Sequence, residues 1–259
     1  MAWTCTYNEP EPQRINRWLG QSGVCSRREA EAFILQGLVT IDGEVVTDAG
    51  RKIEPGQTLT LASDAEGALS AQLSIIFHKP IGIVSAQPEA DQIPAARLLT
   101  REALWEKDGS GDDPIIPDVD ASLPALGRLD KDSRGLLILS QDGVLAKAII
   151  GPDSVLTKQY EVTVEGEITE RKLNLLRRGL ALDGRQLRQA KVTRTGEQQL
   201  RFVLSEGRNR QIRRMCELVE LYVVDLLRTR IGTLDLGNLP EGQWRHMTPD
   251  ERNELVEGY

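Results

Sequence analysis

The chain has 259 residues, 40% hydrophobic and 27% charged, which is apolar enough for one large or two smaller folded domains and too apolar for disorder. No apolar run approaches the length of a membrane span, and Met1 to Pro12 lacks the basic-then-apolar pattern of a secretion signal, so a cytoplasmic protein is expected. Three dispersed cysteines (Cys5, Cys25, Cys216) and two histidines (His78, His246) give no disulfide framework and no zinc spacing, and no glycine-rich phosphate loop follows a predicted strand.

The net charge of −7 argues against a nucleic-acid binder until its distribution is read. Residues 89–120 hold nine acids against three bases, whereas 201–214 hold five arginines against Glu206 alone. A polyanion senses the local field over roughly 8–10 Å at physiological salt, so the basic segment decides.

In chain order, residues 13–61 read as a small unit of two helices and short strands. Arg14 to Leu19 predicts a first helix, broken at Gly23. Ser26 with Glu29 three residues on forms a capping box for a second helix, whose Ala30, Phe33 and Ile34 share one face. Gly37 ends that helix. Leu38, Val39 and Ile41 start a strand, Asp42-Gly43 turns it, and Val45 and Val46 return. Pro55-Gly56 precedes Leu59 and Leu61.

Residues 62–72 are small and polar and read as a linker to a larger unit, 73–259. A strand over Leu73 to Phe77 meets Lys79-Pro80 and a turn at Gly82. The stretch 87–123, rich in Pro, Gly and Asp, reads as an acidic surface insertion, ordered around Leu98 to Trp105. Beyond it, Gly135 to Ser140 is a strand, and Tyr160, Val162 and Val164 alternate as a half-buried one. A helix is expected over 169–179, a strand through Leu200, Phe202 and Leu204, and a helix through Ile212, Met215, Cys216 and Val219. Arg210, Arg213 and Arg214 follow the same spacing as a basic stripe. Strands and helices interleave without βαβ regularity, so the fold class is α+β.

Four constellations carry possible chemistry. Arg14, Arg17, Arg27 and Arg28 lie on or beside the first two helices, where guanidinium forks suit phosphate oxygens, though a solvated helix face has the same charges. In ALGRLDKDSRGLLILSQDG, Asp130 lies between Arg128 and Lys131; a carboxylate so placed stays ionised and serves as nucleophile, base or ligand, or simply as a turn residue. Asp132 is the competing carboxylate and reads as a turn residue. Tyr160 of KQYEV offers a ring for stacking or for the core. SEGRNRQIRRMC delivers Arg208, Asn209, Arg210, Arg213 and Arg214 from a glycine turn onto a helix start that favours anions.

The first segment, through SGVCSRREAE and V-T-I-D-G, resembles the S-four-type RNA-binding domain. GRLDKDSRGLL, K-x-Y-x-V and EGRNRQIRRM then follow in order, with HKPIGIVS before them and RTRI and GQWRHMTPD after. Together they resemble the RsuA/RluB/RluF family of pseudouridine synthases, over about 13–250 and closest to the RluF type. The resemblance implies a catalytic domain built on a mixed, largely antiparallel sheet flanked by helices. It also implies a reaction that breaks an N-glycosidic bond and remakes a carbon–carbon bond on the same base without cofactor or metal.

Residue by residue, the resemblance makes Asp130 the nucleophile, Tyr160 the stacking ring on the target uracil, and Arg213 the partner that keeps Asp130 ionised. Arg128 would enter the RNA stack. Asn209, Arg210 and Arg214, with Arg14, Arg17, Arg27 and Arg28, would contact RNA. The implied partner is ribosomal RNA, with 23S favoured over 16S or a tRNA, for a monomer. Two features depart from the family: the long acidic stretch before the Asp130 loop, and His78 where asparagine is common. Two competing readings are a non-catalytic ribosome-assembly RNA binder, which would be expected to lack Asp130, Tyr160 or Arg213, and a hydrolase pairing Asp130 with Asp132, whose spacing does not make the carboxylates face each other.

Overall fold

The computed structural model describes residues 3–86, 88–89, 91–105, 114–118 and 122–258. Its backbone divides into two compact units, Met1–Leu73 with Ser140–Lys147, and Ser74–Leu139 with Ala148–Tyr259.

The first unit runs β1 (Thr4–Thr6), β2 (Gln13–Arg14), α1 (Ile15–Gln21), α2 (Arg27–Leu35), β3 (Val39–Ile41), β4 (Glu44–Val45), β5 (Lys52–Ile53), β6 (Thr58–Leu61) and α3 (Ser63–Ser70). A sheet ordered β1-β6-β3-β4 lies beside the short β2-β5 pair. The capping box of α2 is formed: the Glu29 amide donates to Ser26 Oγ at 3.3 Å, and the Ser26 amide donates to Glu29 Oε2 at 2.6 Å. Such a cap contributes about 1 kcal/mol. Ala30, Phe33 and Ile34 face a core with Ile15, Leu19, Leu59 and Leu61, as their spacing predicts. Asp42 takes a left-handed φ of 50° and Gly43 one of 85°, which is the hairpin turn read from Asp-Gly.

Two findings extend the sequence reading. The unit starts before residue 13, because Thr4 to Thr6 pair with Thr60 to Thr58 and Tyr7 is buried. The segment read as a linker is largely the helix α3. Its alanine, leucine and glutamate favour helix, Asp64 and Glu66 suit the positive end of the helix dipole, and Ala65 is buried in the core.

The second unit contains β7 (Ser74–Lys79), β8 (Arg134–Ser140), the end of α4 (Gly143–Ile150), β9 (Lys158–Glu165), α5 (Glu170–Arg177), β10 (Ala181–Leu182) and β11 (Arg185–Gln186). It continues with β12 (Lys191–Gly196), β13 (Gln199–Leu204), α6 (Gln211–Glu217), β14 (Tyr222–Ile231), β15 (Leu234–Asp235), β16 (Trp244–His246) and α7 (Pro249–Glu257). One eight-stranded sheet runs β12-β13-β9-β14-β8-β7-β16, with β15 on β14. The β14–β8 pair is parallel, and β12–β13, β13–β9, β9–β14 and β16–β7 are antiparallel. The fold is α+β with a mixed, largely antiparallel sheet.

The alternation read in β9 and β13 sends Val162, Val164, Leu200, Phe202 and Leu204 into one core with Ile212, Met215 and Cys216 of α6. The long central strand β14 escaped the sequence reading because Asp225, Arg228 and Arg230 interrupt its apolar pattern and bulges shift its register. Tertiary contacts satisfy two of those charges inside the sheet. Asp225 takes a two-pronged contact from Arg134 of β8 at 2.9 and 2.8 Å, and Arg228 is capped by carbonyls described below.

The expected order near Trp105 is present. Trp244 is fully buried, its indole donates to the Thr100 carbonyl at 2.8 Å, and Trp105 and Ala103 bond its backbone. Glu106, Lys107, Asp108, Asp112, Asp113 and Asp120 of the acidic stretch lie outside the described residues.

Candidate active site

The loop before β8 carries Asp130. Leu129 is buried and anchors it, and Ser85 clasps Leu129 from both sides. The Leu129 amide donates to Ser85 Oγ at 2.8 Å, and the same hydroxyl donates to the Leu129 carbonyl at 2.7 Å. The Gly82 amide donates to the Lys131 carbonyl at 2.8 Å. The HKPIGIVS segment is thus a cradle under the loop. With Leu129 held down, the Asp130 carboxylate stays about one-third exposed, at 34%.

Lys79 completes that cradle. It is fully buried, and its Nζ donates to the carbonyls of Pro80 and Ile83 at 2.8 and 2.7 Å. Burial pushes its pKa down to about 8, against the pull of Asp132 and Asp130. An unfolded lysine titrates near 10.4, so between pH 8 and about 10.4 the unfolded chain holds more protons and stability rises with pH. The charged lysine costs about 3 kcal/mol below pH 8, and the cost fades as pH climbs. We therefore expect the wild type to gain stability on a Lys79→Met variant from pH 8 to 10 in thermal melts. A difference that stays flat with pH contradicts this account.

Asp130 opens on a cleft of about 570 Å³ lined also by Arg128, Tyr160, Asn209, Arg210 and Arg213. Tyr160 is partly buried against the core and leaves β9 on the cleft side. Arg210 is the N-cap of α6 in a left-handed conformation (φ 48°, ψ 33°), a strain of about 1–2 kcal/mol for a residue with a Cβ. Its guanidinium grips Asp132 at 3.1 and 2.9 Å and lies 4.0 Å from Asp130.

The arginine pairing differs from expectation. Arg213 meets the Asp132 side chain at 3.3 Å rather than Asp130, and donates to the carbonyls of Asp132 and Val223 at 2.6 and 3.1 Å. The cation facing Asp130 is Arg210. The chain turns at Lys131 and Asp132, where the Ser133 amide donates to the Asp130 carbonyl at 3.1 Å, and the α6 register brings the buried Arg213 under the second carboxylate. Asp132 is therefore more than a turn residue. Burial raises its pKa, but the Arg210 hydrogen bonds and the charges of Arg213 and Arg210 prevail and hold it below the ordinary carboxylate value.

The arginines of 208–214 do not form a solvated stripe. Arg208 is spent on the carbonyls of Leu182, Arg185 and Gln186, Arg213 is buried, and Arg214 forks onto Asp183 at 2.9 and 2.6 Å. Arg128, Asn209 and Arg210 remain exposed at the cleft. Arg14, Arg17, Arg27 and Arg28 are all exposed on the first unit. The sequence reading gave no role to Ser85, Lys79 or Arg228. Each lies inside a quoted motif, so their order along the chain was visible while their burial was not. Among the described residues no cluster of His, Cys, Asp and Glu is suited to a metal ion. No described helix is long and apolar enough to cross a membrane.

Comparison with known proteins matches residues 13–59 to the S4 domain and residues 73–218 to the RNA pseudouridylate synthase family. The dual-specificity RNA pseudouridine synthase RluF of Escherichia coli K12 is 34% identical over 244 residues, covering 93% of this chain and 78% of its own. An uncharacterized RNA pseudouridine synthase of Aquifex aeolicus is 30% identical over 246 residues, with 93% of each chain covered. A crystal structure of a pseudouridylate synthase superposes with a TM-score of 0.62 at 25% identity, over 93% of this chain and 99% of that one. Sheet, cleft and matches define one class: an S4 domain joined to an isomerase that makes pseudouridine in RNA. The chain belongs to the RNA pseudouridylate synthase family, in its RsuA branch beside RluF.

Proposed function

We propose that the chain converts a specific uridine of 23S ribosomal RNA to pseudouridine, with Asp130 as the nucleophile. The observation that carries this reading is a part-exposed Asp130 facing Arg210 in a cleft that also holds Tyr160. A flipped uridine leaves its stack at a cost of a few kcal/mol. In the pocket Tyr160 stacks on the uracil, and Arg128 fills the gap left in the RNA. Arg210 faces Asp130 at 4.0 Å, and Asn209 and Arg210 contact the substrate strand. Asp130 assists cleavage of the bond from N1 to the sugar C1′, the base turns, C5 bonds to C1′, the C5 proton is lost and N1 takes up a proton, so that product and substrate are isomers. No redox carrier, nucleotide or metal is required for that balance.

A monomer in the cytoplasm is the expected form. The S4-type unit grips RNA backbone through Arg14, Arg17, Arg27 and Arg28. Replacing Arg27 and Arg28 together by glutamate is expected to weaken RNA binding at least tenfold and to make its salt dependence shallower by about two units of log–log slope. Filter binding at several salt concentrations reads both, and unchanged affinity would remove the small unit from the RNA interface.

The test of function is a carbodiimide-dependent pseudouridine map of ribosomal RNA and tRNA, with and without the gene. One 23S stop, lost on deletion and restored by the wild type but not by Asp130→Asn, is the expected result. A lost stop in 16S RNA or tRNA would move the substrate, and no lost stop together with no tritium release from labelled transcripts would overturn the activity.

A further inference from the structure

Arg228 is 2% exposed and sits at the centre of the site. On β14 it is paired with Tyr160 across β9 and with Gly135 across β8. Its Nε donates to the Leu136 carbonyl at 2.7 Å, its Nη2 to the Gly127 carbonyl at 2.9 Å, and its Nη1 to the Arg128 carbonyl at 3.4 Å. Tyr160, its register partner on β9, lines the same cleft. One planar fork thus holds the start of the Asp130 loop beside the strand position that carries Tyr160.

Among the described residues no carboxylate pairs with Arg228, and the half-buried cation Lys158 lies close enough to be repelled by it. A buried guanidinium balanced only by carbonyl dipoles is costly, and a packed apolar side chain would serve stability as well. The arrangement is better explained by geometry than by stability. Lysine places one point charge, whereas arginine holds several acceptors in one plane.

We propose that Arg228 is a positioning residue for the isomerisation, setting the Asp130 loop against the Tyr160 ring. The inference rests on the functional reading above. A misplacement of about 1 Å at a reacting centre costs about 100-fold in rate. Arg228→Lys is therefore expected to lower single-turnover pseudouridine formation about 100-fold while substrate RNA affinity stays within a few-fold. Arg228 lines the cleft, so Arg228→Ala opens a cavity that small solutes enter. Guanidinium ion at millimolar concentration is expected to restore part of the Arg228→Ala rate, and sodium or tetramethylammonium at equal concentration is not.

If Arg228→Ala does not fold, a cycle between Arg228→Lys and Tyr160→Phe decides, because neighbouring residues that act together in placing the reacting groups give losses that are less than additive. Unchanged turnover in Arg228→Lys, additive losses in the cycle, or a folded Arg228→Ala without guanidinium rescue each overturn the proposal. A wild type that makes no pseudouridine overturns the functional reading and this inference with it; an active wild type with an indifferent Arg228→Lys overturns this inference alone.

Discussion

Asp130→Asn is expected to lower the single-turnover rate by about four orders of magnitude and to leave RNA binding within a few-fold. The amide is isosteric, so Leu129, Ser85 and Gly82 continue to hold the loop where it is. Only the carboxylate chemistry is lost, and in the proposed reaction that chemistry is what attacks or abstracts. The approach of Arg210 at 4.0 Å remains as a contact between a cation and a neutral amide, without a gap for solvent to fill. RNA affinity is expected to survive because the substitution removes no arginine proposed to contact RNA, neither Arg128 and Arg210 in the cleft nor the four on the first unit. Quench-flow with a labelled transcript measures the rate, and filter binding the affinity. Turnover near the wild-type value would take the nucleophile role away from Asp130 and leave Asp132, already gripped by two arginines, as the carboxylate to test next.

Gly135→Ala is expected to destabilise the second unit by about 3–5 kcal/mol and lower its melting temperature by about 10 °C, with activity lost in proportion. Gly135 has φ of +113°, a conformation that residues with a Cβ rarely adopt. A Cβ built there stands 2.3 Å from the Arg228 carbonyl oxygen and 2.6 Å from its nitrogen, so strands β8 and β14 would have to part. Those strands carry the Asp130 loop and Arg228, which explains the joint loss of stability and activity. Circular dichroism melts paired with the single-turnover assay read both. An alanine variant that melts within a degree or two of wild type would show that the strands separate at little cost.

Much of the architecture was legible because local patterns agreed with burial. The alternation in β9 and β13, the capping box of α2, the Asp42-Gly43 turn and the i, i+3, i+4 apolar spacing of α6 each follow from one element's own geometry. Elements whose reason lies in their neighbours were missed. The helix α3 is made of small residues that read as a linker, and β14 carries charges whose partners, Arg134 for Asp225 and the carbonyls of Gly127, Arg128 and Leu136 for Arg228, lie far off in the chain.

The site divides in the same way. That Asp130, Tyr160 and a group of arginines belong together was readable from ordered motifs, because residue type and order reflect the chemistry a cleft must perform. Which arginine meets which carboxylate was not. The pairing of Arg213 with Asp132, the left-handed Arg210 facing Asp130, and the buried fork of Arg228 depend on strand register and on the pitch of a single helical turn, and a shift of one residue along either would exchange the partners. Ordered motifs, through the family they resemble, therefore point to the kind of protein and to the groups proposed to react, since residue type and order along the chain are local properties of the sequence. Tertiary packing alone assigns their partners and charges, since those energies depend on distances between residues about a hundred positions apart in the chain.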